Sequence, residues 1–207
     1  MDVAPKAPIG RPRGFDADEA LERATMVFWE QGYEGTTLTE LTTAMGITKT
    51  SMYAAFGNKE ELFGKALQRY AAGPAAYVAR ALREPTAREV ATAFLTGAVR
   101  ASTCPGLPAG CLSVQGALAA GGAGRTVRDA LAAWRDEGRS LLCDRFQRAV
   151  DEGDLPPDAD PGLIARYVMT LANGIAVQAA GGAGRDELQQ VANAALRSWP
   201  PSGGCSK

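Results

Sequence analysis

Thr48, Lys49, Thr50 and Ser51 stand side by side and carry three hydroxyls and one ammonium. Such groups donate hydrogen bonds to base edges and phosphate oxygens. From Gly46 to Lys59 there are two lysines and no acid. This segment can therefore approach a polyanion without carrying a like charge into contact. Lys49 and Thr50 are the candidates for base edges. Thr37, Thr48, Ser51, Tyr53 and Lys59 are the candidates for phosphates. Arg11 and Arg13 precede the segment in a basic arm able to lie along a minor groove.

The chain offers little for catalysis. It has no histidine, which removes the commonest general base, the usual catalytic triads and most mixed-ligand zinc sites. Its four cysteines, Cys104, Cys111, Cys143 and Cys205, form no C-x-x-C pair. No catalytic residue, metal or cofactor is expected. The start is Pro-rich without an apolar segment, so no signal peptide is expected either, and a reducing cytoplasm is the default location.

The polar run must be held by helices. Leu38, Leu41 and Met45 form a helical stripe, followed by a turn at Met45-Gly46-Ile47. The next helix buries Met52 and Phe56, with the ring of Tyr53 expected beside them. Thr37 with Glu40, and Asn58 with Glu61, have capping-box spacing, and Thr48 can cap the helix between. Asp16 with Glu19 opens the preceding helix, read as ending at Gly32. Two short helices, one packing face and one slim polar face describe a helix-turn-helix.

The set Thr37, Leu41, Gly46-Ile47-Thr48-Lys49, Tyr53, Phe56-Gly57-Asn58-Lys59 and Leu62 resembles the DNA-binding domain of TetR-type transcriptional regulators, over roughly residues 11 to 70. Family members often have Ala at Thr42, Gly or Pro at Thr50, and an aromatic or His at Ala55. The resemblance implies a dimer that binds double-stranded operator DNA. It also implies a C-terminal helical domain holding a small-molecule cavity.

Bulk composition neither announces nor forbids this. There are 22 basic and 23 acidic residues, for a net charge of −1. Only the contacted phosphates need neutralising, so a basic tip on an acidic body suffices.

Beyond Gly73-Pro74 the spacing stays helical. Ala75 to Leu82 is short. Further helices are expected from Thr86 to Ser102, Cys111 to Ala119, Thr126 to Glu152, Asp160 to Ala180 and Asp186 to Ser198. The fold class is all-α. Residues 1–14 read as a flexible basic arm and 15–57 as the helix-turn-helix domain. Residues 58–72 are a bridging helix, 73–199 a ligand-binding and dimerisation bundle, and 200–207 a disordered tail.

The uncharged run from Tyr167 to Gly184 is too short and too rich in Ala and Gly to span a membrane comfortably. Its apolar surface, with Leu188, Val191, Ala192, Ala195 and Trp199, suits a four-helix interface with a second copy.

A reading helix does not need some 130 further residues only to dimerise, so the C-terminal part is expected to sense a small effector. Candidate lining residues are Phe94, Leu112, Gln115, Trp134, Leu142, Phe146, Met169 and Asn173. The scarcity of charge within these helices points to an apolar or neutral effector whose binding releases a repressor from a palindromic operator. Two alternatives stand beside this reading. One is a regulator switched by an oxidant or electrophile at Cys111, which falls at an expected helix N-terminus; some family members that respond to such agents have a cysteine near here. The other is a helical interaction module that does not bind DNA. A thiol-dependent enzyme using Cys104 and Cys111 would lack both a dithiol motif and a histidine base.

Overall fold

The computed structural model describes residues 14–118 and 125–200. Arg11, Arg13, the glycine-rich break after Ala119 and the tail beyond Pro200 lie outside the described residues. Ten α-helices and no strand occur among those described.

The caps read from sequence form. Asp16 accepts hydrogen bonds from the backbone N–H groups of Asp18 and Glu19 and starts α1, Ala17–Gly35. The stop expected at Gly32 is a kink instead: Gly32 leaves helical geometry, and a last turn runs on to Gly35. Thr37 and Glu40 close a capping box on α2, Leu38–Met45. Gly46, at φ 68°, ends α2 in the left-handed region that favours glycine. Thr48 caps α3, Lys49–Phe56. Asn58 and Glu61 box the start of α4, Lys59–Ala72. Gly57, at φ 81°, joins α3 to α4, and a Cβ there would run into the Glu61 side chain.

After a 3-10 turn at Pro74–Ala76 come α5 (Tyr77–Ala81), α6 (Ala87–Ser102), α7 (Leu112–Leu118), α8 (Arg125–Asp151), α9 (Pro161–Ala180) and α10 (Arg185–Arg197). Each lies within about two residues of its expected span.

Two apolar clusters hold these helices. One joins α5, α6, α8, α9 and α10 around Val90, Phe94, Leu142, Phe146, Ile164 and Val168. The other lies under the helix-turn-helix, around Phe28, Trp29, Leu41, Met52, Phe63 and Tyr70. Phe63 meets the Phe28 ring edge-on at 5.1 Å and the Tyr33 ring at 5.3 Å. This second cluster also contains Leu112 of α7 and Val127 and Leu131 of α8. Buried Arg145 pins α8 to the turn before α6 by donating from Nη2 to the carbonyls of Glu84 and Pro85, at 2.8 and 2.9 Å.

Helix α9 is long and apolar enough to cross a membrane by composition, but only 39% of its apolar window is buried in the single chain. It packs on α6, α8 and α10. Leu163 and Val177 of α9 and Val191 of α10 remain 40–47% exposed, so the α9–α10 side keeps uncovered apolar groups.

Candidate nucleic-acid interface and effector cavity

The reading face is local in origin. The Thr48 hydroxyl accepts the Ser51 N–H at 3.1 Å and donates to Ser51 Oγ at 3.0 Å. Capping thus fixes Thr48 and leaves the Ser51 hydroxyl proton free to point elsewhere. Met52 and Phe56 are buried, whereas Thr48, Lys49, Thr50, Tyr53 and Ala54 are exposed. The exposed groups therefore lie on the side of α3 away from its core contacts. Lys65 Nζ donates to the Phe56 carbonyl at 2.9 Å, tying the end of α3 to α4. An open depression lined by Thr43, Gly46, Thr48 and Ser51 adjoins this face and, among the described residues, contains no charged side chain.

Three expectations change. Tyr53 is 49% exposed, so its ring does not join the Met52 and Phe56 packing. The spacing alone could not separate it, because the core is satisfied by the two residues on the inner side of α3. The Thr37 hydroxyl donates to Glu40 Oε2 at 2.7 Å and accepts the Glu40 N–H; as folded, it has no proton left for a phosphate. The Thr37 hydroxyl and then its backbone N–H hold the Glu40 carboxyl below its usual pKa. Lys59 sits 4.2 Å above the Tyr33 ring, a cation–π contact at the head of α4. Partial burial lowers its pKa, opposed by Glu34 and Glu40.

The second site needs distant parts of the chain. A cavity of about 250 Å³ opens between α5, α6, α8 and α9. Of the eight expected lining residues, Phe94, Trp134, Met169 and Asn173 are in its wall. Leu112, Gln115, Leu142 and Phe146 are not. Leu112 is fully buried in the core under the reading head, between the wall residues Cys111 and Ser113. Leu142 and Phe146 belong to the bundle core, on a different face of α8 from Trp134, Gly138 and Leu141. The Gln115 amide lies against the turn at Gly110.

Residues that sequence reasoning missed also line the wall, among them Tyr77, Ser113, Glu137, Gly138 and Leu141. Gly138 carried a usable signal, since a glycine inside a long helix costs about 1 kcal/mol and calls for a packing reason. A Cβ there would meet nothing nearer than Met169 Cε at 3.9 Å. Among the described residues, Glu137 is the one charged residue in this wall, and it is exposed.

Cys111 joins this wall to the reading head. Its Sγ is 3.2 Å from Ser113 Oγ. Buried Tyr70 stands beside Cys111 and the backbone of Leu112. Burial, and next the proximity of Cys111, push the Tyr70 phenol well above its ordinary pKa. The same two causes raise Tyr77. The Tyr70 ring lies 6.2 Å from Trp134 in the cavity wall and 4.8 Å from Trp29 of α1.

The comparisons with known proteins decide what this arrangement is. The family model described as "Bacterial regulatory proteins, tetR family" matches residues 20–66. That described as "Tetracyclin repressor-like, C-terminal domain" matches residues 88–196, more than half of the chain. The chain belongs to the TetR family. It is 33% identical to the HTH-type transcriptional repressor ComR of Escherichia coli (strain K12) over 197 residues, covering 92% of each chain. A cysteine mutant of the TetR family transcriptional regulator CifR, complexed with 26-base-pair double-strand operator DNA, is 43% identical to it. That structure superposes with a TM-score of 0.87, covering 92% of this chain and 100% of the other. The reduced form of NemR of E. coli, 21% identical with a TM-score of 0.70 over 87% of this chain and 95% of its own, shares the fold. This TetR-family member is a DNA-binding transcriptional regulator.

Proposed function

We propose that this regulator represses transcription through α3 and lets go of its operator when a small, uncharged, largely apolar molecule fills the cavity beside Trp134. Lys49 and Thr50 read base edges, and Ser51 and Tyr53 hold phosphates, twice over in the dimer, while Thr48, its hydroxyl proton committed to Ser51, holds the start of α3 as its cap. Arg11 and Arg13 of the arm serve the adjacent minor groove. Lys59 contributes to the phosphates only from its seat on Tyr33. The protein works in the cytoplasm, where its DNA is, and performs no catalysis.

One observation carries the effector reading: Tyr70, in the core under the reading head, lies beside Cys111, and Cys111 is part of the cavity wall. A ligand that displaces that wall biases the core from which α3 projects. It can do so only by binding one of two states more tightly.

The test blocks the cavity. Gly138→Phe would place a ring in the open space in front of Met169. A panel of neutral aromatic compounds is screened by thermal shift, and its hits are assayed for release of operator DNA. Hits are expected to release the native protein and to leave the Gly138→Phe protein bound. A hit that releases both equally contradicts the cavity assignment.

A second reading has its own support: the Cys111 thiol stands in the cavity wall beside Ser113 and two phenols. A neutral electrophile such as N-ethylmaleimide would add to Cys111. The Sγ–C bond forms as the alkene π bond breaks, and the thiol proton ends on the adjacent carbon. Peptide mass spectrometry should find the adduct on Cys111 with operator affinity falling in step. A Cys111→Ser protein that still loses affinity on treatment rules this trigger out.

A further inference from the structure

Tyr77 stands between two spaces. On one side it lines the effector cavity beside Phe94, whose ring it meets edge-on at 5.5 Å. On the other it lines a surface groove of about 440 Å³ between α5, α6 and the loop that follows α6. Gly97, Ala101 and Leu107 are also in the wall of that groove. Among the described residues, no other borders both spaces. Tyr77 is therefore the partition between them.

The residue beneath it explains how the ring comes to lie there. Gly97 is inside α6, where glycine weakens a helix relative to alanine and calls for a packing reason. A Cβ at that position would stand 2.6 Å from Tyr77 Cγ and 2.8 Å from Tyr77 Cβ. Carbon atoms in good non-bonded contact keep about 3.5–4.0 Å apart. The crowding reaches the root of the side chain, so turning the ring cannot relieve all of it. Only a glycine there lets Tyr77 seat against α6.

We propose that Tyr77 determines which effectors fit, by ending the cavity and so setting the longest molecule it accepts, with Gly97 as the positioning residue that seats it. This rests on the cavity being the effector site. The ligand class follows from the volume. The cavity, at about 250 Å³, falls just below the usual range for ligand sites, about 300 to 1,000 Å³. The native effectors are thus neutral one-ring compounds carrying no more than a short substituent. Without the Tyr77 ring the cavity would run on into a groove larger than itself.

The test uses 4-n-alkylphenols from methyl to heptyl. Binding is followed by the carbon-13 signal of the Met169 methyl group, which lies in the cavity beside Gly138 and is assigned from Met169→Leu. In the native protein, affinity should rise about fourfold per methylene while space lasts and stop rising at a limiting length. Tyr77→Phe keeps the ring and should keep that limit. In Tyr77→Ala the rise should continue to longer chains, and Tyr77→Leu serves if the alanine variant fails to fold. Gly97→Ala keeps the ring but not its seat and should also lose the native limit. The proposal is overturned by a limit that stays put without the ring, or one that moves as far in Tyr77→Phe. An unmoved limit in Gly97→Ala removes the role given to the glycine. No saturable shift with any member would remove both the proposal and the cavity as a ligand site. Compounds that shift Met169 but leave operator affinity unchanged would remove the effector reading alone, with the length limit still standing.

Discussion

Beneath the reading head, the apolar core takes residues from α1 to α4 and then from Leu112, Val127 and Leu131, far along the chain. The bundle core uses only residues from Ala81 onward. The reading head is therefore completed by helices that a sequence boundary at residue 72 would assign elsewhere. The bundle is complete within its own stretch. Any shift of α7 or the start of α8 must be felt in the head's core, since close-packed interiors do not absorb displacements quietly.

Paired truncations give the largest effects that could break this comparison. Leu131→Ala and Leu142→Ala each remove a fully buried leucine and should each cost about 2–5 kcal/mol in urea unfolding. Hydrogen exchange should then separate them. Leu131→Ala is expected to lower amide protection in α1 in native conditions, and Leu142→Ala to lower it in α6 and α9 while sparing α1. Equal protection of α1 in both variants would mean that the two cores are not distinct in the way described.

Tyrosine ionisation sharpens the same comparison with a smaller effect. Burial first, and then the neighbouring Cys111, raise the pKa of both Tyr70 and Tyr77 in the folded protein. The unfolded chain ionises near the ordinary value of 10. Their contribution to stability is thus fully present below about pH 10 and is lost as the pH rises from there towards the raised folded values. The expected slope is about 1.4 kcal/mol per pH unit for each tyrosine in that window. Tyr70→Phe should flatten the alkaline limb of a stability–pH curve by roughly one such increment. An unchanged limb would mean that Tyr70 ionises as freely folded as unfolded.

How much of this was legible follows from the distance over which each feature is decided. Thr37, Thr48, Asn58, Thr86 and Asp160 cap their helices as expected, because a cap is a contact across three residues. Lys49 and Thr50 fall on the open side of α3 for the same local reason. The cavity was half legible. Trp134 and Leu142 share one apolar stripe in the sequence, but α8 turns Trp134 towards Tyr70 and Leu142 into the bundle. Only the placement of α5, α6 and α9 decides which face lines a space. Leu112 shows the same limit, since its neighbours Cys111 and Ser113 reach the cavity while it fills the other core. The packing expected for the Tyr53 ring was misjudged because an aromatic at helical spacing resembles core until the volume beneath the helix is known.

The central claim is that the surface around Lys49 grips operator DNA and does so without bearing on the fold. Operator affinity of Lys49→Ala, measured beside its urea stability and against scrambled DNA, tests this most directly. The account predicts a loss of about 1–3 kcal/mol in operator binding with stability unchanged within about 0.5 kcal/mol. Native operator affinity in a folded Lys49→Ala dimer would contradict it.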